Sequence, residues 1–318
     1  MALNAPYGRS LQLLLGATLL LIFIGPVTAG AATQQRGFAA PQQAVDALIA
    51  GVQSDGDSEL LVLLGAEAED LISSGDKVAD QIGRERFLAA AGEQLELEAE
   101  GDNRVQLLVG AENYPFPIPL VRSGEEWRFD TRAGVEEILN RRIGRNELKT
   151  IEVVQAYTEA QREYACRKFN GAGQEFAQKF SSSPGSKDGL YWPAAEGEQE
   201  SPFGPLIAEA AEQGYAGGLA ENPPEPFQGY YFKILKAQGE HATGGAFDYV
   251  ANGKMILGFA LVAYPAKYGA SGIMTFIVNQ QGVIYEKDLG ETTAATAAAL
   301  TRFDPDDSWR RYEEDADR

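Results

Sequence analysis

The chain contains few of the residue types that carry covalent chemistry. It has one cysteine, Cys166, and one histidine, His241, among 318 residues. A nucleophilic serine or cysteine needs a base beside it, and His241 lies in the glycine-rich run GEHATGG, which predicts an exposed loop. Cys166 is expected to be a small buried packing residue late in a helix. We therefore predict no catalytic residues of the nucleophile–histidine type.

Metal and cofactor sites are also disfavoured. One cysteine and one histidine do not supply the ligands of an ordinary zinc, haem or iron–sulfur site. The pair Gly253-Lys254 lacks the upstream glycine and the following Ser or Thr of a phosphate-binding loop. The sequence therefore predicts no metal and no cofactor.

Carboxylates are the remaining candidates for acid–base chemistry. Glu286 and Asp288 alternate onto one face of a predicted strand, so they are the pair that we consider for ligand binding or glycosidase-type chemistry. That chemistry requires two carboxylates about 5–10 Å apart, a distance that sequence does not give.

Aromatic residues form the second set of candidates for ligand binding. Flat exposed rings stack on sugars and on the edges of peptides. The alternative is that these rings cover the sheet as core residues. Tyr230 and Tyr231 must point to opposite sheet faces, so at most one of them can join a shared platform. The candidates are Tyr191, Trp192, Tyr231, Tyr264 and Tyr268.

The charge of the chain limits its partners. With 27 basic and 46 acidic residues, its formal net charge is −19. A chain this acidic is repelled by phosphate backbones and by anionic lipid surfaces, so we predict no nucleic-acid partner. The partner is otherwise unknown, with an envelope protein or a glycan as the classes considered.

The first residues resemble an export signal. Arg9 precedes an apolar run over residues 11–25, and Ala29-Gly30-Ala31 matches the small-x-small rule for cleavage after Ala31. The run is shorter than the roughly 20 residues of a transmembrane helix, although an uncleaved anchor is the alternative. We expect a signal peptide over 1–31, a linker over 32–40, no membrane span in the mature chain, and a periplasmic or secreted location.

Residues 41–144 are predicted to form an α+β unit, with helices first and a sheet second. Helices are expected from Pro41, from Asp57 to a stop at Gly65, and from Lys77 to Leu95. Strands are expected at 104–110, 117–123 and 126–130. The ending PLVRSGEEWRFDT is similar to nuclear-transport-factor-2-like domains, through Gly124, Trp127, Phe129 and Asp130. That resemblance implies a cone-shaped fold with a concave pocket.

Residues 145–303 are predicted to form a second α+β domain. A helix from Thr131 to about Lys168 is expected to break near Gly144, where we place the boundary. Strands are expected near 230–236, 257–264, 272–279 and 282–287, with NQQG as the turn of a hairpin. The long helix followed by an antiparallel sheet resembles pilins and pseudopilins. The helix is too polar to enter a membrane, so we do not expect a pilus subunit. An acidic tail is expected over 304–318.

Segments along the whole chain resemble one bacterial family, the domain-of-unknown-function 2950 group. They include EDLISSGD, RRIGRNEL, AYTEAQREYA, DGLYWP and GFALVAYPAKYG, and the resemblance runs from about Phe38 to Trp309. It implies a secreted or periplasmic protein and brings no known activity.

These patterns favour a non-enzymatic, exported protein for binding or envelope assembly. One alternative is a carboxylate-based hydrolase or isomerase with its pocket in the N-terminal domain. The other is a structural partner of a secretion or pilus-like system. An enzyme predicts a deep pocket that contains an Asp or Glu with a perturbed pKa, whereas a binding module predicts a shallow aromatic groove.

Overall fold

A computed structural model describes residues 35–54, 56–167, 174–195, 197–215 and 225–313. The predicted leader and the end of the predicted tail lie outside these residues. The described residues belong to one compact unit that contains two hydrophobic cores. The division of the chain into two domains at Gly144 stays a prediction.

Four helices begin the described chain: α1 (Pro41–Gln53), α2 (Asp57–Leu64), α3 (Glu69–Ile72) and α4 (Lys77–Glu93). The three predicted helices are confirmed. Pro41 lies in the first turn of α1, where its missing N–H is harmless. Gly65 ends α2 with a φ of 88°, which favours glycine. Asp76 caps α4 by accepting a hydrogen bond from the Ala79 N–H at 3.0 Å.

A five-stranded antiparallel sheet packs on these helices, with strands in the order β1-β2-β4-β5 and β3 paired to β2. Its strands are β1 (Leu95–Ala99), β2 (Arg104–Val109), β3 (Tyr114–Pro115), β4 (Leu120–Ser123) and β5 (Glu126–Phe129). Strand β1 was not predicted. Its Leu95 and Leu97 lie opposite Val109 and Leu107 of β2, and this cross-strand pairing outweighs the helix propensity of LELEA.

The helix α5 (Thr131–Arg167) serves both cores. It runs through Gly144 without interruption, so the predicted break at that residue is wrong. A glycine inside a helix costs only a modest amount of stability. Packing of the apolar residues of α5 before and after Gly144 keeps the helix continuous. Ile138 packs on the first core, whereas Val154 and Tyr157 belong to the second. None of the helices in the described ranges is long and apolar enough to cross a membrane.

The second core surrounds another five-stranded antiparallel sheet, in the order β14-β13-β12-β11-β6. The remaining elements are α6 (Gly204–Glu212), β6 (Tyr230–Leu235), β7 (Ala237–Gln238), β8 (Phe247–Asp248), β9 (Val250–Ala251), β10 (Lys254–Met255), β11 (Ala260–Pro265), β12 (Met274–Asn279), β13 (Ile284–Asp288), α7 (Thr293–Ala299) and β14 (Arg310–Arg311). The predicted hairpin of β12 and β13 is confirmed. Strand β14 lies within the predicted acidic tail, so that part of the tail is a paired sheet edge.

Helices cover both faces of the second sheet. The Tyr157 hydroxyl of α5 donates a hydrogen bond to the Ala260 carbonyl at 3.2 Å. On the other face, Lys233 donates to the carbonyls of Ala298 and Leu300, at the end of α7, at 2.6 and 2.7 Å. Because side chains alternate along β6, Tyr230 faces α5 whereas Tyr231 shares the face of Lys233.

Candidate functional site

The aromatic candidates Tyr191 and Trp192 lie in a segment that packs against α5. The Tyr164 hydroxyl of α5 donates to the Lys187 carbonyl at 2.6 Å, and the Tyr191 N–H donates to the Phe180 carbonyl at 2.7 Å. Trp192 is 5% exposed and belongs to the second core, with its indole N–H donating to the Gln199 carbonyl at 3.2 Å. Trp192 is therefore a core residue whose ring is not available for stacking.

Tyr231 and Tyr264 form a separate pair. They lie directly opposite each other on β6 and β11, and their ring centroids are 5.6 Å apart. Both are partly buried and both point to the α7 face of the sheet. Tyr191 and Trp192 lie on the α5 side. The sheet therefore lies between the two pairs, so they do not form one surface. Ligand binding by the candidate aromatic residues stays a prediction.

The remaining predicted residues have partners within the protein. The Tyr268 hydroxyl donates to Asp288 at 3.2 Å, and the Gly290 N–H donates to the same carboxylate at 2.8 Å. Glu286 is 7% exposed and accepts a hydrogen bond from Arg310 of β14 at 2.8 Å. Glu286 and Asp288 do share a strand face, as predicted, but the ion pair with Arg310 neutralises the charge of Glu286.

His241 and Cys166 are the single histidine and cysteine considered in the sequence analysis. His241 is exposed, and its Nδ1 lies 3.1 Å from Asp304. Cys166 is exposed, so its expected burial is wrong. The buried face of α5 at this point is formed by Tyr164 and Ala165. Among the described residues, no group of three or more His, Cys, Asp or Glu could hold a metal ion.

A cavity of about 430 Å³ opens between the first four helices and α5. We call it the helical pocket. Its walls are mainly apolar and come from α1, α2, α3, α4 and α5; they include Leu48, Leu60, Leu64, Ile72, Phe87 and Ile138. Its volume falls within the roughly 300–1,000 Å³ of small-molecule sites.

The polar lining of the helical pocket is strongly basic. Five cations line it, namely Arg84, Arg86, Arg142, Arg145 and Lys149, together with the carboxyl of Asp80. This composition is opposite to that of the whole chain, whose net charge is −19. The pocket therefore concentrates positive charge inside an acidic protein.

Three of these cations are engaged by protein groups. Arg84 forms an ion pair with Asp57, and Lys149 lies 2.8 Å from Glu152. Arg142 donates to the carbonyl of Asp70 at 2.8 Å and also to that of Leu71. Arg142 thereby satisfies backbone acceptors at the C-terminal end of α3.

The environment of the pocket shifts the pKa values of its ionisable groups. Burial lowers the pKa of Arg142, and the carboxyl of Asp80 partly offsets this effect. Burial also lowers the pKa of Arg145, and the positive charge of Arg86 lowers it further. Both guanidinium groups stay charged at neutral pH. Arg142 is partly buried, whereas Arg145 is exposed at the mouth of the cavity.

Asp80 is the carboxyl group of the pocket. Burial raises its pKa, while hydrogen bonds from Ser74 and the charge of Arg142 offset part of the rise. The Ser74 N–H donates to Asp80 Oδ2 at 2.9 Å. The raised pKa means that the folded protein favours the protonated carboxyl more than the unfolded chain does.

Replacing Asp80 with asparagine should therefore raise the free energy of unfolding at pH 7. The stability that comes from the raised pKa is fully present below the unfolded value of about 3.8 and is lost as the pH rises through the folded value. Asparagine keeps an acceptor for Ser74. We expect the gain to shrink towards zero below about pH 4, measured by urea unfolding across pH. The exposed control Asp102→Asn should show no such trend, and a loss of stability at pH 7 in Asp80→Asn would contradict the argument.

Gly83 lies in the middle of the pocket-facing stripe of α4. Asp80, Gly83 and Phe87 are about one turn apart and all line the cavity. A Cβ added to Gly83 would meet no atom of the described residues within 4 Å. A helical glycine costs about 0.5–1 kcal/mol relative to alanine. Gly83 thus keeps space open at the pocket at the expense of helix stability.

The far wall of the pocket comes from beyond α5. Gln213 and Gln228 line it and are hydrogen-bonded to each other. Gln228 has a φ of 54°, a strained conformation for a non-glycine residue. Beside it, buried Asp76 accepts hydrogen bonds from the Tyr215 hydroxyl at 2.9 Å and the Gly229 N–H at 2.8 Å. Asp76 therefore joins the start of α4 to the second core.

Sequence reasoning missed the residues of the helical pocket. The expected break at Gly144 placed Arg142 and Arg145 on two separate helices, so their common face was not recognised. The available signal was spacing: Arg142, Arg145 and Lys149 are three and four residues apart, so they share one face of a continuous helix. Arg86 and Asp80 gave no signal of their own.

Comparison with known proteins gives a family. No curated protein and no solved structure matches the chain. One family model matches residues 35–312, nearly the whole of the described chain. The chain therefore belongs to the family described as "Protein of unknown function (DUF2950)".

Proposed function

We propose that this protein binds an amphipathic small molecule in the helical pocket. The observation that carries the proposal is a cavity of about 430 Å³ with mainly apolar walls and with its charged groups on α4 and α5. Such a division suits a ligand with an apolar body and one polar end. The leader-like segment over residues 1–31 supports a location in the periplasm or outside the cell.

The walls supply the affinity in this proposal. Each buried methylene contributes about 0.8 kcal/mol, and association costs at least about 4 kcal/mol. A ligand must therefore bury several methylenes before it binds measurably. We expect affinity to rise with the length of the apolar part until the cavity is full.

A neutral fluorescent probe tests this proposal. N-phenyl-1-naphthylamine should bind to the wild-type protein with a rise in fluorescence. Gly83→Phe should weaken binding at least about tenfold, because the added ring fills open space on the pocket-facing stripe. The helix should remain stable, since phenylalanine replaces a poorer helix former.

The matched control is Gly144→Phe. Gly144 is an exposed glycine in the middle of α5 that does not line the pocket. A Cβ added there would meet no atom of the described residues within 4 Å. This variant should bind the probe as the wild type does. Equal affinity in wild type and Gly83→Phe, or no binding at all, would overturn the proposal.

The carboxyl of Asp80 supports a second candidate function, acid–base catalysis in the same pocket. Asp80 is partly buried and its pKa is raised, and a raised carboxyl pKa is a common feature of catalytic acids. Hydrolysis of a p-nitrophenyl ester of an eight-carbon acid is a direct test, with Asp80→Asn as the variant. Turnover that depends on Asp80 would establish catalysis, whereas equal background rates for both proteins would leave binding as the function.

A further inference from the structure

Arg86 and Arg145 are the cations of the helical pocket that the protein does not pair. Among the described residues, no carboxylate lies within 4.0 Å of either guanidinium. The other three cations have the partners given above. The two arginines come from different elements, α4 and α5, and both line the cavity.

The two arginines are close enough to repel each other. The charge of Arg86 contributes to the lowered pKa of Arg145, after the larger effect of burial. Both side chains are exposed at the cavity, so water screens part of this repulsion. Among the described residues, no carboxylate is paired with either charge. A bound anion would convert this repulsion into two attractions.

A shortage of acidic residues does not explain the missing partner. The chain has 46 acidic and 27 basic residues, and elsewhere arginines such as Arg104, Arg128 and Arg132 each hold a glutamate. The pocket's own carboxyl, Asp80, is offset by the charge of Arg142. Two arginines without a carboxylate partner thus lie on the wall of the same cavity, where a bound anion could contact both.

We infer that the ligand carries an anionic head group, a carboxylate or a phosphate, which Arg86 and Arg145 hold together. This inference rests on the proposed function, because the apolar walls must hold the rest of the ligand. Arginine suits this role, since its planar fork of donors matches the oxygens of carboxylate and phosphate. The ligand class is therefore a single-chain amphiphile with one acidic end.

Displacement of N-phenyl-1-naphthylamine by four ten-carbon compounds tests the inference. Decanoate and decyl phosphate are the anions, decanol is neutral and decyltrimethylammonium is cationic. We expect at least one anion to bind about tenfold or more tightly than decanol and the cation to bind more weakly than decanol. The anion that binds more tightly identifies the head group as carboxylate or phosphate.

The double variant Arg86→Gln/Arg145→Gln should lose this preference and still bind the neutral probe. It removes a repulsive pair, so we expect it to fold, which circular dichroism and probe binding would verify. The control Arg132→Gln/Arg141→Gln removes two exposed arginines of α5 that hold Glu67 and Glu137. The control should keep the full preference for the anion.

Two failures are distinguishable. If the neutral probe binds and decanol binds as tightly as both anions, the inferred head group is wrong and the pocket remains a binding site. An anion preference that survives in Arg86→Gln/Arg145→Gln also overturns the inference. If the neutral probe does not bind to the wild type, the proposed function itself fails.

Discussion

Replacing Asp76 with alanine is expected to lower the free energy of unfolding by about 3–5 kcal/mol. Asp76 is 1% exposed and accepts hydrogen bonds from the Ala79 N–H, the Tyr215 hydroxyl and the Gly229 N–H. Loss of the cap on α4 accounts for about 1 kcal/mol. Each buried donor left without a partner adds about 1–3 kcal/mol. Urea unfolding monitored by circular dichroism gives the value.

Two variants make this prediction specific. Asp76→Asn keeps one oxygen for capping α4 but cannot accept all three hydrogen bonds. Its free energy of unfolding should therefore fall, but by less than in Asp76→Ala. Asp102→Ala removes an exposed carboxyl and should change stability by less than about 0.5 kcal/mol. Because Asp76 connects α4 to Tyr215 and Gly229, removal of its side chain should also broaden the urea unfolding transition. A near-neutral effect of Asp76→Ala would show that these hydrogen bonds contribute little.

The second large effect is expected at Gly134, in the first turns of α5. A Cβ at this position would overlap the Pro117 carbonyl and lie 2.7 Å from the Ile118 nitrogen. These are backbone atoms, which cannot rotate away. We expect Gly134→Ala to cost about 3 kcal/mol or more in the free energy of unfolding, although alanine is the better helix former.

Gly144→Ala provides the comparison within the same helix. A Cβ there meets nothing within 4 Å among the described residues, so the usual gain of about 0.5–1 kcal/mol should appear. The same substitution should thus have opposite signs ten residues apart. Thermal and urea unfolding of both variants measure the difference. A loss of stability in Gly144→Ala would argue that α5 is not a continuous helix at that point.

Local patterns in the sequence predicted many of the elements. The hairpin of β12 and β13 was predictable because NQQG separates two apolar runs of strand length. The start of α1 at Pro41 and the end of α2 at Gly65 follow from the fixed φ of proline and the left-handed tolerance of glycine. These signals depend on a few adjacent residues.

The errors arose where distant residues decide the outcome. LELEA has residues with good helix propensity, and its pairing with β2 makes it a strand. Trp192 was a reasonable candidate for an exposed ring, but it belongs to the second core, whose members come from residues 151–303. Spacing within one segment does not reveal such packing.

The helical pocket was beyond prediction for the same reason. Its lining runs from Leu48 to Gln228, so no single stretch of sequence carries its pattern. The resemblance to nuclear-transport-factor-2-like domains implied a concave pocket but gave none of its residues. The charges of the helical pocket come from α4 and α5 together. The continuity of α5 through Gly144 was the missing information.

The shared helix also sets the order in which the pocket can be completed during synthesis. A ribosome releases the chain from its N-terminus, and segments fold as they emerge. Residues up to Gly144 supply most of the apolar wall, but Arg145, Lys149 and the distant Gln228 arrive later. A nascent chain that stops at Gly144 would therefore hold an unfinished, open cavity. Binding of the proposed ligand would thus require the nearly complete polypeptide, and probe binding would mark the stage of synthesis at which the cavity is complete.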